Sequence, residues 1–111
     1  MENKVEEIYN YLVQKKCKEI AVYDLSSEDN SPAYLFVVTN ANQLANKKFA
    51  NMFMADFKLE KNPDGFNKGE WIVFDCDKFI IHSFIPLVRE KYNLDKLWKS
   101  KRLMMKKQGK K

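Results

Sequence analysis

His82 is the one histidine of the chain, and it sits inside an apolar stretch, Phe79-Ile80-Ile81-His82-Ser83-Phe84. An imidazole is the usual general base near neutral pH, so chemistry is sought there first. Its neighbour Ser83 cannot serve as its nucleophile, because adjacent residues of a strand point to opposite faces. A lone strand histidine reads as packed or hydrogen-bonded. Asp75 and Asp77 offer the other suggestive spacing: carboxylates at i and i+2 share one strand face and can hold magnesium for nucleotidyl transfer. Nucleotidyltransferases set such a pair behind a Gly-Ser phosphate loop. Here the glycines are Gly65, Gly69 and Gly109, and none precedes a serine. Asp77-Lys78 also lies where a hairpin should turn, and Asp is common in turns. Cys17 and Cys76 match no zinc spacing and suggest free or buried thiols. The residues therefore predict no catalytic group, no metal site and no cofactor.

Trp71 begins a strand beside a long polar loop. It either caps the core or stands out as an anchor for a partner, since Trp is enriched at interface hot spots; the residues alone leave both open. Trp98 follows a leucine at helical spacing and reads as core.

The elements that would position these residues fit one domain. A chain of 111 residues has room for a single modest core. No apolar run approaches the ~20 residues of a membrane span, and MENKVEEIYN does not read as a secretory leader. A cytoplasmic location is expected. Val5, Ile8, Tyr9, Leu12 and Val13 form one helical stripe. Ile20 to Leu25 is short and β-branched, a strand; Ser26 to Pro32 is a polar turn segment. Tyr34 to Thr39 is a near-continuous apolar run that suits a strand buried on both faces. Asn40 or Asn42 can cap a helix whose apolar positions are Leu44, Ala45, Phe49, Met52, Phe53 and Phe57. Leu59 is expected to open a short strand before the Asn62-Pro63-Asp64-Gly65 turn. Trp71–Phe74 and Phe79–Phe84 form a hairpin, Pro86 starts a helix through Tyr92, and Leu94, Leu97 and Trp98 make a last apolar turn. The expected fold is α/β, a single small domain with a mixed β-sheet flanked by helices.

The net charge of +5 divides unevenly. Residues 96–111 hold eight basic side chains and no acid, whereas residues 1–95 hold twelve basic and fifteen acidic ones. A mildly acidic body thus carries a basic C-terminal tail, which is either a solvated segment or an arm for polyanions.

The stretch GEWIVFDCDKFIIHSFIPLVREKYNLDKLW, residues 69–98, resembles the ribosomal silencing factor, or Iojap, family. The family pattern is a Trp-led strand, an Asp-containing turn and an apolar strand ending in His-x-Phe. A Pro, a Val-Arg-Glu, a Tyr and a Leu-x-x-Leu-Trp close follow. Trp71, Asp75, His82, Phe84, Pro86, Val88, Arg89, Glu90, Tyr92, Leu94, Leu97 and Trp98 match it in order and spacing. Upstream, Asp24, Ser27, Phe36, Val37 and Val38 fit the family's strand-turn-strand. The chain departs from the pattern at Tyr34-Leu35, Ala41, Ala45-Asn46 and Asp77-Lys78. The resemblance covers roughly residues 3–99, so residues 1–99 are expected to form the family domain and 100–111 the basic tail.

The resemblance implies a nucleotidyltransferase-like fold without the catalytic motif, and a factor that is not an enzyme. It implies binding to the large ribosomal subunit through the interface protein numbered fourteen, blocking subunit joining and repressing translation. It also implies that Trp71, Asp75, Cys76, Arg89 and Tyr92 face that partner. Lys101, Arg102, Lys106 and Lys107 of the tail are expected to contact ribosomal RNA, and the protein is expected to be a monomer or weak homodimer. The competing readings are a nucleotidyltransferase-like enzyme using the Asp pair and a general RNA-binding module driven by the tail.

Overall fold

The computed structural model describes residues 3–27 and 32–103. The order of elements is α1 (Asn3–Gln14), β1 (Lys18–Asp24), β2 (Tyr34–Thr39), α2 (Gln43–Asp56), β3 (Trp71–Cys76), β4 (Phe79–Phe84), α3 (Pro86–Lys91), α4 (Leu94–Leu97), a 3-10 turn (Lys99–Lys101) and β5 (Arg102–Leu103). The strands form one mixed sheet in the order β3-β4-β2-β1-β5. β2 and β4 run parallel, with Phe36 opposite Ile81, and the other neighbours run antiparallel.

Strand alternation sorts the apolar residues onto two faces. On one face, Val22, Phe36, Val38, Ile72, Phe74 and Ile81 pack against Val5, Ile8 and Leu12 of α1 and Phe49 and Phe53 of α2. On the other, Ala21, Tyr23, Leu35, Val37 and Phe84 pack with Val88, Leu94 and Trp98 of the C-terminal helical segments. The central strand β2 is covered on both faces, which accounts for its unbroken apolar run. Asn42 caps α2 by accepting the amide of Ala45 at 2.8 Å.

Both long helices end in the same way. Cys17 N–H reaches the Leu12 carbonyl and Lys16 N–H the Val13 carbonyl; Leu59 N–H reaches Met54 and Lys58 N–H reaches Ala55. These are Schellman closures, with Lys16 (φ 64°) and Lys58 (φ 52°) in the left-handed position that glycine usually fills. The second closure corrects the expectation of a strand at Leu59. That residue turns back to satisfy the end of α2, and its side chain packs against the first core cluster.

Three apolar residues expected in the core are not there. Leu44 is 67% exposed, Met52 40% and Leu97 67%, while the polar Asn46 on the inner face of α2 is fully buried. Asn46 and Asn40 close a network with the buried Ser83: Asn40 donates to Asn46 and Ser83, and Asn46 donates to the Gly69 and Ser83 carbonyls. This network joins the ends of β2 and β4 to the start of α2 and the entry of β3. The fold also runs past residue 99, because Arg102 and Leu103 pair with Tyr23 and Val22.

Candidate interaction surface around Trp71

Trp71 opens β3, an edge strand, on the same face as Phe84. The loop before it closes tightly: Gly65 holds φ 82°, and a Cβ there would lie 2.2 Å from the Trp71 carbonyl oxygen, so only glycine fits. Asp64 and Val73 exchange backbone hydrogen bonds at 3.0 Å, pinning the loop to the strand. The half-buried indole packs at a tilt among Phe84 (centroids 5.0 Å apart), Tyr92 (4.7 Å) and His82 (5.8 Å).

Trp71 Nε1–H donates to His82 Nδ1 at 2.8 Å. An accepting Nδ1 makes the imidazole neutral, and burial pushes its pKa down to about 4. His82 is therefore a positioning group for the indole, and Ser83 points to the opposite face. One side of the Trp71 ring closes the second core cluster, and the other lines a groove of about 380 Å³ with Ile85, Leu87, Val88 and Tyr92. Leu87 is 72% and Tyr92 44% exposed. Ile85 and Leu87 were not among the expected site residues. Their signal was an isoleucine and a leucine flanking Pro86 in a segment too short to bury both.

The remaining expected contacts do not gather at Trp71. Asp75 lies four residues along β3, roughly 13 Å away at strand rise, so it and Trp71 occupy opposite ends of the strand. Its Oδ1 accepts the Asp77 amide at 3.2 Å and its Oδ2 faces Lys61 at 3.7 Å. Asp77 takes φ 68° in the hairpin turn. The Asp pair thus shapes and flanks a turn. Among the described residues, no group of three or more His, Cys, Asp or Glu is placed to hold a metal ion. Cys76 alternates to the other face and packs against the first core cluster. Burial, then the neighbouring Asp75, raises its thiol pKa. Cys17 is buried and pushed up to about 12.

Arg89 is also corrected. Its guanidinium grips Asp95 through two hydrogen bonds of 3.0 and 2.9 Å, and also donates to Thr39 Oγ1 and the Glu19 carbonyl. The Glu19 carbonyl is turned toward it by an irregularity in β1, where Glu19 adopts φ 50°. Tyr23 O–H also donates to Asp95. Burial works to raise Asp95, but the bonds from Arg89 and Tyr23 outweigh it and hold the carboxyl below the usual range. With four of its five N–H groups committed inside the chain, Arg89 is a clamp between α3, α4 and the sheet.

Lys101 donates to Ser27 at 3.0 Å. Arg102 stands exposed on β5, and Lys106 and Lys107 lie outside the described residues.

The sequence profile described as "ribosomal silencing factor during starvation" matches residues 1–111. The chain belongs to this family. Among curated relatives, the ribosomal silencing factor RsfS of Chromobacterium violaceum is 27% identical over 87 residues, 75% of this chain and 71% of that protein. RsfS of Zymomonas mobilis is 26% identical over 84 residues, 72% of this chain and 63% of that protein. Two crystal structures share this fold. One, of a Chromobacterium violaceum protein, has a TM-score of 0.74 at 24% identity, covering 89% of this chain and 88% of that one. The other, from Bacillus halodurans, has a TM-score of 0.74 at 17% identity, covering 94% and 100%.

Proposed function

We propose that this silencing-factor domain binds the large ribosomal subunit through its interface protein numbered fourteen, and so blocks joining of the small subunit and represses translation. Family membership supports the silencing role. The observation that supports the docking surface is the groove around Trp71: an aromatic ring held rigid by His82, with exposed Leu87 and Tyr92 beside it. Rigid aromatics with apolar neighbours are the usual anchors of protein interfaces. Glu70, the acidic residue lining this groove, is paired with Lys68 at 3.7 Å, and Lys91 lines it as well.

The protein acts by occupying a surface and not by catalysis. In the enzyme reading, Asp75 and Asp77 would be metal ligands, yet the Asp75 carboxylate already accepts the Asp77 amide of the hairpin turn and faces Lys61. The reading is tested with purified subunits. Saturating protein added to large subunits before small ones should lower the yield of whole ribosomes in a sucrose gradient. An undiminished yield would overturn it.

A further inference from the structure

The C-terminal segment presents a second surface of different chemistry. Lys96, Lys99 and Arg102 lie on α4, the 3-10 turn and β5, and all three are exposed. None of their side chains has a hydrogen bond or ion pair among the described residues. No acid occurs between residue 96 and the C-terminus, where Lys106, Lys107, Lys110 and Lys111 follow. β5 is the sheet edge opposite β3. Four strand spacings of about 4.8 Å separate the two edges, roughly 19 Å. Arg102, on β5, therefore stands apart from Trp71 on β3. Three acids share a cavity with Arg102: Asp95 is held by Arg89, Glu19 accepts from Thr39, and Glu90 is exposed with no hydrogen bond or ion pair among the described residues.

We propose that this β5 edge is an RNA-backbone contact that engages phosphates independently of the Trp71 groove. Lysine ammonium groups and one guanidinium suit phosphate oxygens. The segment's one ring, Trp98, packs in the second core cluster and is not available to stack on bases, so the contact reads charge and not sequence. Within the proposed ribosomal role, ribosomal RNA is the polyanion within reach. Lys101 is outside the contact set, because it is engaged at Ser27.

The test is fluorescence anisotropy of the full chain with a labelled single-stranded oligouridine, across salt from about 50 mM upward. The comparison is the triple variant Lys96→Gln, Lys99→Gln, Arg102→Gln, checked for unchanged thermal unfolding. Each lost phosphate contact lowers the log–log salt slope by about 0.7 for single strands, so the triple variant should be shallower by about 2. Scrambled RNA sequences should bind alike, and Leu87→Glu, in the other groove, should leave RNA binding unchanged. Equal slopes for wild type and triple variant, or no wild-type binding at low salt, would overturn the proposal. Tighter binding to phosphatidylserine vesicles than to RNA would also overturn it, in favour of a membrane surface. If RNA binding holds while large-subunit preference is absent, the β5 edge stands and the silencing reading falls.

Discussion

Stability should fall steeply between about pH 6.5 and pH 4, and a single side chain should cause most of it. His82 is the only histidine, so no other side chain normally titrates through the upper part of this window. Its ordinary pKa is 6.5, and burial lowers it to about 4 in the fold. Between those values the unfolded chain binds a proton that the folded chain refuses. Unfolding then takes up protons, so stability is full above pH 6.5 and is lost as pH falls toward 4. The slope is about 1.4 kcal/mol per pH unit, and the loss at pH 5 is about 2 kcal/mol. For a domain of this size that lowers the melting temperature by roughly 8–12 °C. Asp24, held down by the Ser26 hydroxyl and amide, and Asp95, held down by Arg89 and Tyr23, add their losses only at lower pH. Urea unfolding at a series of pH values measures the slope, and the His82 Cε1 proton resonance reports the folded titration. His82→Gln, which keeps an acceptor for Trp71 but cannot ionise, should flatten the profile. A wild-type profile that is already flat, or a folded His82 titrating near 6.5, would refute the reasoning.

The helix ends and the Arg89 clamp give two further expectations. Lys16→Gly and Lys58→Gly each relieve a left-handed lysine at a Schellman closure; each should stabilise by about 1 kcal/mol and raise the urea midpoint. Arg89→Met should destabilise by about 2 kcal/mol, because Asp95 keeps its partly buried charge without a partner. The added change Asp95→Asn should recover part of that loss in a double-mutant cycle.

Periodicity carried most of the fold. The α1 stripe, the doubly buried β2 and the β3–β4 hairpin lie where apolar spacing put them, because burial on a face leaves a period that can be read locally. Leu59 and β5 escaped for opposite reasons. Leu59 follows a helix closure built on lysine, and without the usual glycine the signal is silent. β5 is two residues long and exists only because β1 offers it an edge. Leu44, Met52 and Leu97 are apolar at helical spacing yet exposed, since a helix face wider than its contact leaves its flanks in water. Arg89 shows the limit for site residues. Position in a motif says that a side chain matters, and only the bonds to Asp95, Thr39 and Glu19 say that it works internally. The Trp71–His82 pair lies across two strands, with donor and acceptor eleven positions apart, so no local pattern announces it.

The docking claim is tested most directly by co-sedimentation of the wild type and of Leu87→Glu with separated ribosomal subunits. Leu87 is 72% exposed beside Trp71, so the substitution tests the groove without disturbing the core, and unchanged thermal unfolding confirms this. The wild type should pellet with large subunits and not with small ones. A charge at an apolar anchor should cost about 2 kcal/mol or more of binding, roughly thirtyfold, leaving the variant in the supernatant at concentrations that retain the wild type. Equal pelleting of wild type with both subunits, or of a folded Leu87→Glu variant at wild-type affinity, would contradict docking through the Trp71 groove.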